Sequence, residues 1–383
     1  MKRSKLRYGM VGGDLNAFIG DVHRKGAAMN ENVELVAGCF SRREEANQAT
    51  GLHYGLDPER IYADFETMAA AEGARADGID WVSICTPNNT HYQAAKAFLE
   101  NDINVYCEKP LTFTAEEAME LKKLAEEKGL LFGLNYSHSG NVMVHEARAL
   151  VRDGVIGEII NVNGEYFQEY LVDDIGNTDK EMLQLSSWRK DPAISGGSNC
   201  VGDIGSHIEH TVSYITGMEL KRVCAMLDNY GQPLDLNANI LVEFENGSHG
   251  VFCSSQVCVG HLNGLVVRIF GTKGAIEWVQ ETPNVLKLTL KGQPTQILNR
   301  GMGYIHPEVA AMERLPFGHP EGLYEAFANM YKAFTAAVLK KVNGEMLTEA
   351  DLDFPNIEDG IRGVKFIAAC LKSDREGSVW TEV

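Results

Sequence analysis

Leu6-Arg7-Tyr8-Gly9-Met10-Val11-Gly12-Gly13-Asp14-Leu15-Asn16-Ala17-Phe18-Ile19-Gly20 is the stretch from which the fold can be read. Leu6 to Val11 has the apolar character of a strand, and Phe18 to Asn30 that of a helix. A glycine-rich turn between a first strand and a helix lets backbone approach a pyrophosphate, and the helix N-terminus favours its charge. The spacing departs from G-x-G-x-x-G, because the loop is longer and Gly20 comes late. Gly12, Gly13, Phe18 and Ile19 are the candidate contacts.

The same alternation continues outward. Val33 to Phe40, Ile79 to Cys85, Ile103 to Cys107 and Leu130 to Leu134 read as strands. Arg42 to Thr50, Asp64 to Ala74, Thr90 to Glu100 and Ala115 to Lys128 read as helices. Apolar strands separated by amphipathic helices predict a parallel sheet covered on both faces. Right-handed crossovers make it a doubly wound, Rossmann-type α/β domain, assigned to residues 1–135.

Near Asn135 the pattern changes. One more helix, Val142 to Arg152, is followed by seven β-rich runs: Ile159 to Tyr170, Arg222 to Asn229, Ala238 to Glu245, Ser248 to Val259, Gly264 to Gly271, Ala275 to Val279 and Val285 to Leu290. Asn246-Gly247 is a hairpin signal. Consecutive strands predict a mainly antiparallel sheet in an α+β domain over residues 136–383. Helices at Gly205 to Thr216, Gly322 to Val342 and Asn356 to Ser373 are expected to cover one face. With no linker between them, the two domains are expected to share a cleft.

Strand ends in an open α/β sheet face the ligand crevice. The second strand ends at Ser41 and Arg42 rather than at a carboxylate that would grip the ribose of NAD. Arg42 suits a 2′-phosphate or an adenine face, so NAD and NADP both stay open. The third ends at Thr86-Pro87-Asn88, with Asn89 or Thr90 placed to cap a helix and His91 expected at the crevice. The fourth runs into Glu108-Lys109-Pro110, where a lysine can grip a substrate hydroxyl or relay a proton. Tyr136 and His138 follow the fifth.

In the second half, Gly196 to Gly205 leads into a helix carrying Asp203 and His207. Spacing i,i+4 puts both on one helix face. A first-turn histidine feels the positive helix end, which favours a neutral imidazole able to accept a proton. Asp203 can orient it or bind a substrate hydroxyl. Glu209 and His210 are assigned to solvent or an interface. Trp188 and Arg189 are candidates to close over a nicotinamide or a phosphate. His306, and His319 within Gly318-His319-Pro320-Glu321-Gly322, are further cleft candidates. No histidine pair has metal-ligand spacing with a carboxylate, so no metal is expected.

The net charge of −18 argues against nucleic acid or anionic membrane as the main partner. No apolar window approaches the roughly 18 residues of a membrane span. The start lacks the features of a signal peptide. The eight cysteines contain no C-x-x-C pair and read as reduced thiols of a cytoplasmic protein.

In order and register, the glycine loop, Thr86-Pro87-Asn88, Glu108-Lys109-Pro110, Trp188-Arg189 and Asp203 to His207 resemble the glucose–fructose oxidoreductase and inositol dehydrogenase (Gfo/Idh/MocA) family. The resemblance covers nearly the whole chain. It implies a Rossmann domain, a second domain with a large open sheet, and use of NAD or NADP on carbinols of sugars and cyclitols. It makes Lys109, Asp203 and His207 the catalytic set. Beside that set, Glu108 and Lys109 are candidate cofactor contacts, and Tyr136, His138 and His319, with Lys109, Asp203 and His207, candidate substrate contacts. The resemblance implies a dimer or tetramer formed through the second sheet, and a cis Lys109-Pro110 bond. Ala17 to Arg24 and Gly318 to Gly322 look like the branch with levoglucosan dehydrogenase and enzymes oxidising the C3 hydroxyl of glycosides. The rival readings are a glycosidase with retained NAD, working by transient oxidation and elimination, and a non-catalytic NAD(P) sensor.

Overall fold

The computed structural model describes residues 2–176 and 188–383. The chain divides into two compact units. One comprises Met1–Ser137 with Leu323–Ile361, the other His138–Gly322 with Arg362–Val383.

In the first unit, strands β1 (Leu6–Val11), β2 (Val33–Cys39), β3 (Trp81–Ile84), β4 (Asn104–Cys107) and β5 (Phe132–Leu134) pair in parallel in the order β2-β1-β3-β4-β5. A parallel bridge from Gly38 to Ile61 extends the sheet beyond β2. With Ile61 counted as a vestigial strand, the order is that of a Rossmann sheet. The order reverses between β1 and β3, so the ligand crevice lies where these two strands end. Helices α1 (Phe18–Ala28), α2 (Glu44–His53), α3 (Phe65–Ala74), α4 (His91–Glu100) and α5 (Ala115–Lys128) connect the strands. Helix α5 begins with a Thr114/Glu117 capping box and ends at Gly129 in the left-handed region, so its limits are set locally.

The change of pattern near Asn135 predicts that all of residues 136–383 lie in the second domain. The structure corrects this, because residues 323–361 belong to the first unit. Two helices, α8 (Leu323–Val342) and α9 (Ile357–Arg375), follow this late crossover. Phe327, Tyr331, Phe334 and Val338 of α8 form a stripe at helical spacing, buried in one core with Tyr8, Trp81 and Tyr106. The Tyr331 ring lies 4.6 Å from Tyr106 and 5.3 Å from Trp81. A Cβ on Gly26 of α1 would lie 2.7 Å from Phe327, so a glycine permits this close helix packing. Helix α8 therefore does not cover the antiparallel sheet, as the sequence reading expected.

In the second unit nine strands form one sheet in the order β13-β12-β11-β10-β6-β9-β8-β7-β14. They are β6 (Ile159–Phe167), β7 (Leu220–Asp228), β8 (Asn237–Phe244), β9 (His249–Ser255), β10 (Gly264–Gly271), β11 (Gly274–Val279), β12 (Val285–Leu290), β13 (Gln296–Asn299) and β14 (Thr381–Glu382). All neighbours are antiparallel except β6 and β9. The β8–β9 hairpin turns at Asn246-Gly247, with Gly247 at φ 82°. The short edge strands β13 and β14 were not foreseen.

Helices α6 (Val142–Arg152) and α7 (Ser206–Thr216) pack on this sheet and supply much of its core. Every residue of α7 from Ser206 to Ser213 is buried. Glu209 and His210 are thus interior, not solvent or interface residues. The Glu209 carboxylate lies 3.7 Å from the Arg362 guanidinium, and the His210 ring stacks on Tyr214. Among the described residues no helix is long and apolar enough to cross a membrane. All eight cysteines are free thiols.

Candidate active site

Within the first unit, the loop after β1 is shaped by glycine. Gly12 and Gly13 stand at φ 83° and 77°, where L side chains are strained. A Cβ on Gly20 would lie 2.3 Å from the Gly13 Cα, and one on Gly12 would lie 2.9 Å from the Cys85 backbone. The late glycine therefore does the packing work of the third glycine in the usual fingerprint, letting α1 close onto a longer loop. Asp14 shapes the same loop by accepting from the Asn16 N–H at 3.0 Å. Phe18 is 71% exposed at the loop's edge. Ser41 accepts from the Arg43 N–H at 3.4 Å, and Arg42 is exposed.

At the end of β3, the Thr86 hydroxyl oxygen is buried with no hydrogen-bond partner. Pro87 precedes a short turn over Asn88–Thr90. His91 differs from expectation. It is fully buried, with Nδ1 2.8 Å from the Pro110 carbonyl and Nε2 2.9 Å from the Thr86 carbonyl. Burial pulls its pKa down. It ties the turn after β3 to the turn after β4 and does not present its ring to the crevice.

Glu108 is likewise turned inward. One of its oxygens accepts from His23 Nε2 at 2.8 Å and Asn135 Nδ2 at 2.6 Å, and the other from the Lys109 N–H at 3.0 Å. His23 continues to the Tyr331 hydroxyl at 2.6 Å, which meets Ser83 Oγ at 2.7 Å. Burial pushes the carboxyl of Glu108 upward. The His23 hydrogen bond and neighbouring positive charge outweigh this and leave it below its ordinary value. Glu108 thus anchors the backbone of half-buried Lys109 and is engaged inside the protein. The Lys109-Pro110 peptide is cis. Tyr136 is buried at the end of β5. A glycine cradle that a Cβ would fill, beside the unpartnered Thr86 hydroxyl, fits a dinucleotide. Gly12, Gly13, Thr86 and the exposed Phe18 are residues that could hold it.

Within the second unit, Asp203 lies in a π-helical turn, Val201–Gly205, that precedes α7. Spacing i,i+4 puts two side chains on one face only where the helix is α throughout, and a π turn breaks that register. Asp203 accepts from Gln256 Nε2 at 3.1 Å and pairs with Arg189 Nε at 3.2 Å. The Arg189 guanidinium lies 4.7 Å over the Trp188 ring. Gln256 also donates to the Tyr170 hydroxyl at 2.9 Å and accepts from Asn199 Nδ2 at 2.8 Å. Asp235, almost wholly buried, accepts from the N–H groups of Asn199 and Val201, both at 2.8 Å, and so holds the start of the turn. Burial pushes its carboxyl up. Gln256, Tyr170 and Asp235 were missed. Their partners lie 34 to 86 residues away along the chain, so no local pattern marks them.

His207 meets His138. Their Nδ1 atoms are 3.1 Å apart, and the rings cross edge to face. Both side chains are buried. His319 is exposed, with its carbonyl held by Arg300. Arg300 in turn pairs with buried Glu321 at 3.0 Å. His306 is bound between Glu146 and Asp153, 3.0 and 3.1 Å away. Among the described residues no group of three or more His, Cys, Asp or Glu could hold a metal ion.

Two family models match. One, the oxidoreductase family with an NAD-binding Rossmann fold, covers residues 6–136, and the other, the GFO/IDH/MocA C-terminal domain, covers residues 144–277. The chain belongs to the Gfo/Idh/MocA family. A Gfo/Idh/MocA chain of this kind is an oxidoreductase with an NAD-binding Rossmann domain, in a family whose dehydrogenases act on sugars and inositol. It is 40% identical to an uncharacterised oxidoreductase of Bacillus subtilis over 98% of this chain and 96% of that one. An inositol dehydrogenase homolog from Azotobacter vinelandii, crystallised with NAD+, superposes with a TM-score of 0.92 at 35% identity, covering 100% of this chain and 99% of that one. A second crystal structure of that homolog contains NADH and myo-inositol. Levoglucosan dehydrogenase of Pseudarthrobacter phenanthrenivorans is 26% identical over 68% of this chain and 76% of that one.

Proposed function

We propose that this protein is an NAD-dependent dehydrogenase that oxidises a ring carbinol of a cyclic polyol, whether cyclitol, sugar or glycoside, with NADP as the alternative cofactor. The observation that carries the reading is His207, a buried imidazole with one ring nitrogen already engaged, a few residues from an Asp203 braced by Arg189 and Gln256. The bound dinucleotide supplies the hydride-accepting chemistry. His207 takes the hydroxyl proton as general base. The Lys109 ammonium donates to the same oxygen as negative charge develops on it. Asp203 accepts from a neighbouring hydroxyl of the substrate. Tyr136 and His319 complete the proposed substrate contacts, and Ser41, Arg42, Asn88 and Trp188 the cofactor contacts.

The named relatives are oxidoreductases or dehydrogenases, which favours net hydride transfer over the eliminative glycosidase and over the sensor. Myo-inositol in the Azotobacter homolog and levoglucosan in the Pseudarthrobacter enzyme's name share a rigid ring bearing adjacent hydroxyls, and that is the substrate class proposed. We further propose a homo-oligomer formed through the open face of the nine-stranded sheet, working in the cytoplasm.

A panel of monosaccharides, inositols and glycosides with NAD+ and NADP+, followed at the nicotinamide absorbance, tests the reading. Net reduction with a keto product is expected for at least one ring polyol. It is expected to be lost in Lys109→Met and in His207→Ala. Cleavage of a glycoside without net reduction, or tight nucleotide binding with no turnover across the panel, overturns it.

A further inference from the structure

Two buried imidazole nitrogens 3.1 Å apart need one proton between them. Two bare nitrogens would repel, and two N–H groups would clash. The pair therefore has two arrangements. In one, His207 carries its proton on Nδ1 and donates it to His138 Nδ1. Nε2 of His207 is then bare and able to accept. In the other, His138 donates from Nδ1. The proton of a neutral His207 is then on Nε2, where it blocks the basic position.

We propose that His138 is a positioning residue that holds His207 in the first arrangement and shares the proton that His207 takes up. The inference rests on the reading of His207 as base. Several features hold His138 in place. Its carbonyl accepts from the Asn141 N–H at 3.1 Å and from Asn141 Nδ2 at 2.9 Å, which closes the turn that carries it. Its ring stands edge to face against Tyr166 at 5.8 Å and against Trp278 at 6.3 Å. Trp278 is fully buried and Tyr166 donates to Asn263 at 2.7 Å, so both walls are fixed. The two aromatic walls and the closed turn restrain the ring with its Nδ1 toward His207.

The proton balance closes within the pair. The substrate O–H bond breaks and a His207 Nε2–H bond forms, leaving one extra proton on two imidazoles. That proton's charge is relieved through the Nδ1–H to His138 Nδ1 hydrogen bond. It can pass fully to His138 if the bridging hydrogen crosses, leaving His207 neutral with its proton on Nε2. In the reverse direction each bond is remade. Where a serine hydrolase uses a carboxylate to fix the tautomer of its base, this chain uses a second imidazole. Asp203, braced by Arg189 and Gln256, is left for the substrate.

Two variants separate positioning from packing. His138→Phe keeps an aromatic ring against Tyr166 and Trp278 but removes the acceptor. His138→Asn shrinks the side chain but keeps an acceptor near the Nδ1 position. We expect kcat to fall about tenfold or more in His138→Phe, within the range of acid–base contributions, with KM changed by less than about threefold. The acid limb of its kcat/KM profile should move to lower pH, and His138→Asn should recover most of kcat. Nitrogen NMR of the unaltered protein should show neutral His207 protonated on Nδ1 and neutral His138 protonated on Nε2. Equal losses in the two variants, an unmoved limb in His138→Phe, or the opposite tautomers overturn the proposal while the base reading stands. Full turnover in His207→Ala overturns the base reading, and this proposal with it.

Discussion

Gly20 shows how much one missing Cβ can decide. Its Cα faces the Gly13 backbone so closely that any side chain would press on main chain, which has no rotamer to yield. Overpacking of this kind costs about 1–3 kcal/mol, and here it would push α1 away from the loop. Gly20→Ala should therefore weaken NAD+ binding about tenfold or more by calorimetry, with far-UV circular dichroism unchanged; unchanged affinity would show that the loop is not the cradle. Tyr331 tests the other buried device of this unit. Its hydroxyl joins His23 to Ser83, so Tyr331→Phe takes this hydrogen bond from His23 Nδ1 and from the Ser83 hydroxyl, while His23 Nε2 keeps Glu108. Such orphaned groups cost about 1–3 kcal/mol, to be read as a lower urea midpoint. An unshifted midpoint would mean that the Glu108 network adds no stability.

Elements whose information is local could be read from sequence; those defined by distant partners could not. The limits of β1, α5 and α6 match the apolar periodicity and caps to the residue. Helix α8 shows its apolar stripe in the sequence, but a stripe does not say which sheet it will cover. The turn at Val201–Gly205 reads as helix because nothing in Gly202-Asp203-Ile204-Gly205 distinguishes i→i+5 from i→i+4 bonding. Asp203 and His207 were visible as chemistry, whereas the pairing of His138 with His207 spans 69 residues and depends on tertiary packing. Helix α6 carries a further titratable contact, again invisible locally. Glu146 and the following Asp153 both hold His306, with Arg152 and Glu308 alongside. Partial burial pulls the His306 pKa down, but the two carboxylates outweigh this and leave it raised above 6.5. A raised folded-state pKa means that the contribution is complete below the unfolded value and is lost as pH rises through the folded one. Thermal melts at about pH 6 and about pH 8.5 should differ more in the unaltered protein than in His306→Gln. An equal difference in both would show that the contact carries no pH-dependent stability.

At the scale of the molecule, among the described residues one face of the second unit's sheet carries a row of exposed and half-buried side chains of graded composition. One row of cross-strand neighbours runs Cys224, Leu241, Val251, Asn163, Arg268, Glu277, Lys287 across seven strands. Its first part is apolar, with Leu241 49% and Val251 36% exposed and Met226 beside them at 51%. Its second part is an ion-pair ladder in which Arg268 meets Glu165 and Glu277, and Glu277 meets Lys287. A twofold axis through such a face can bury the apolar part of both copies while the ladder stays internally neutralised, the self-complementary arrangement of an isologous dimer. Each copy brings a net charge of −18, so long-range repulsion opposes the pairing and salt screens it. Association should therefore tighten as ionic strength rises, contrary to what a salt-bridged interface would do. Light scattering across a salt series should show a dimer or larger assembly whose dissociation constant falls with salt. Leu241→Arg should shift it to monomer, because the new charge would be buried without a partner. A monomer at every ionic strength, or an assembly that Leu241→Arg leaves intact, would mean that this face is not the subunit contact.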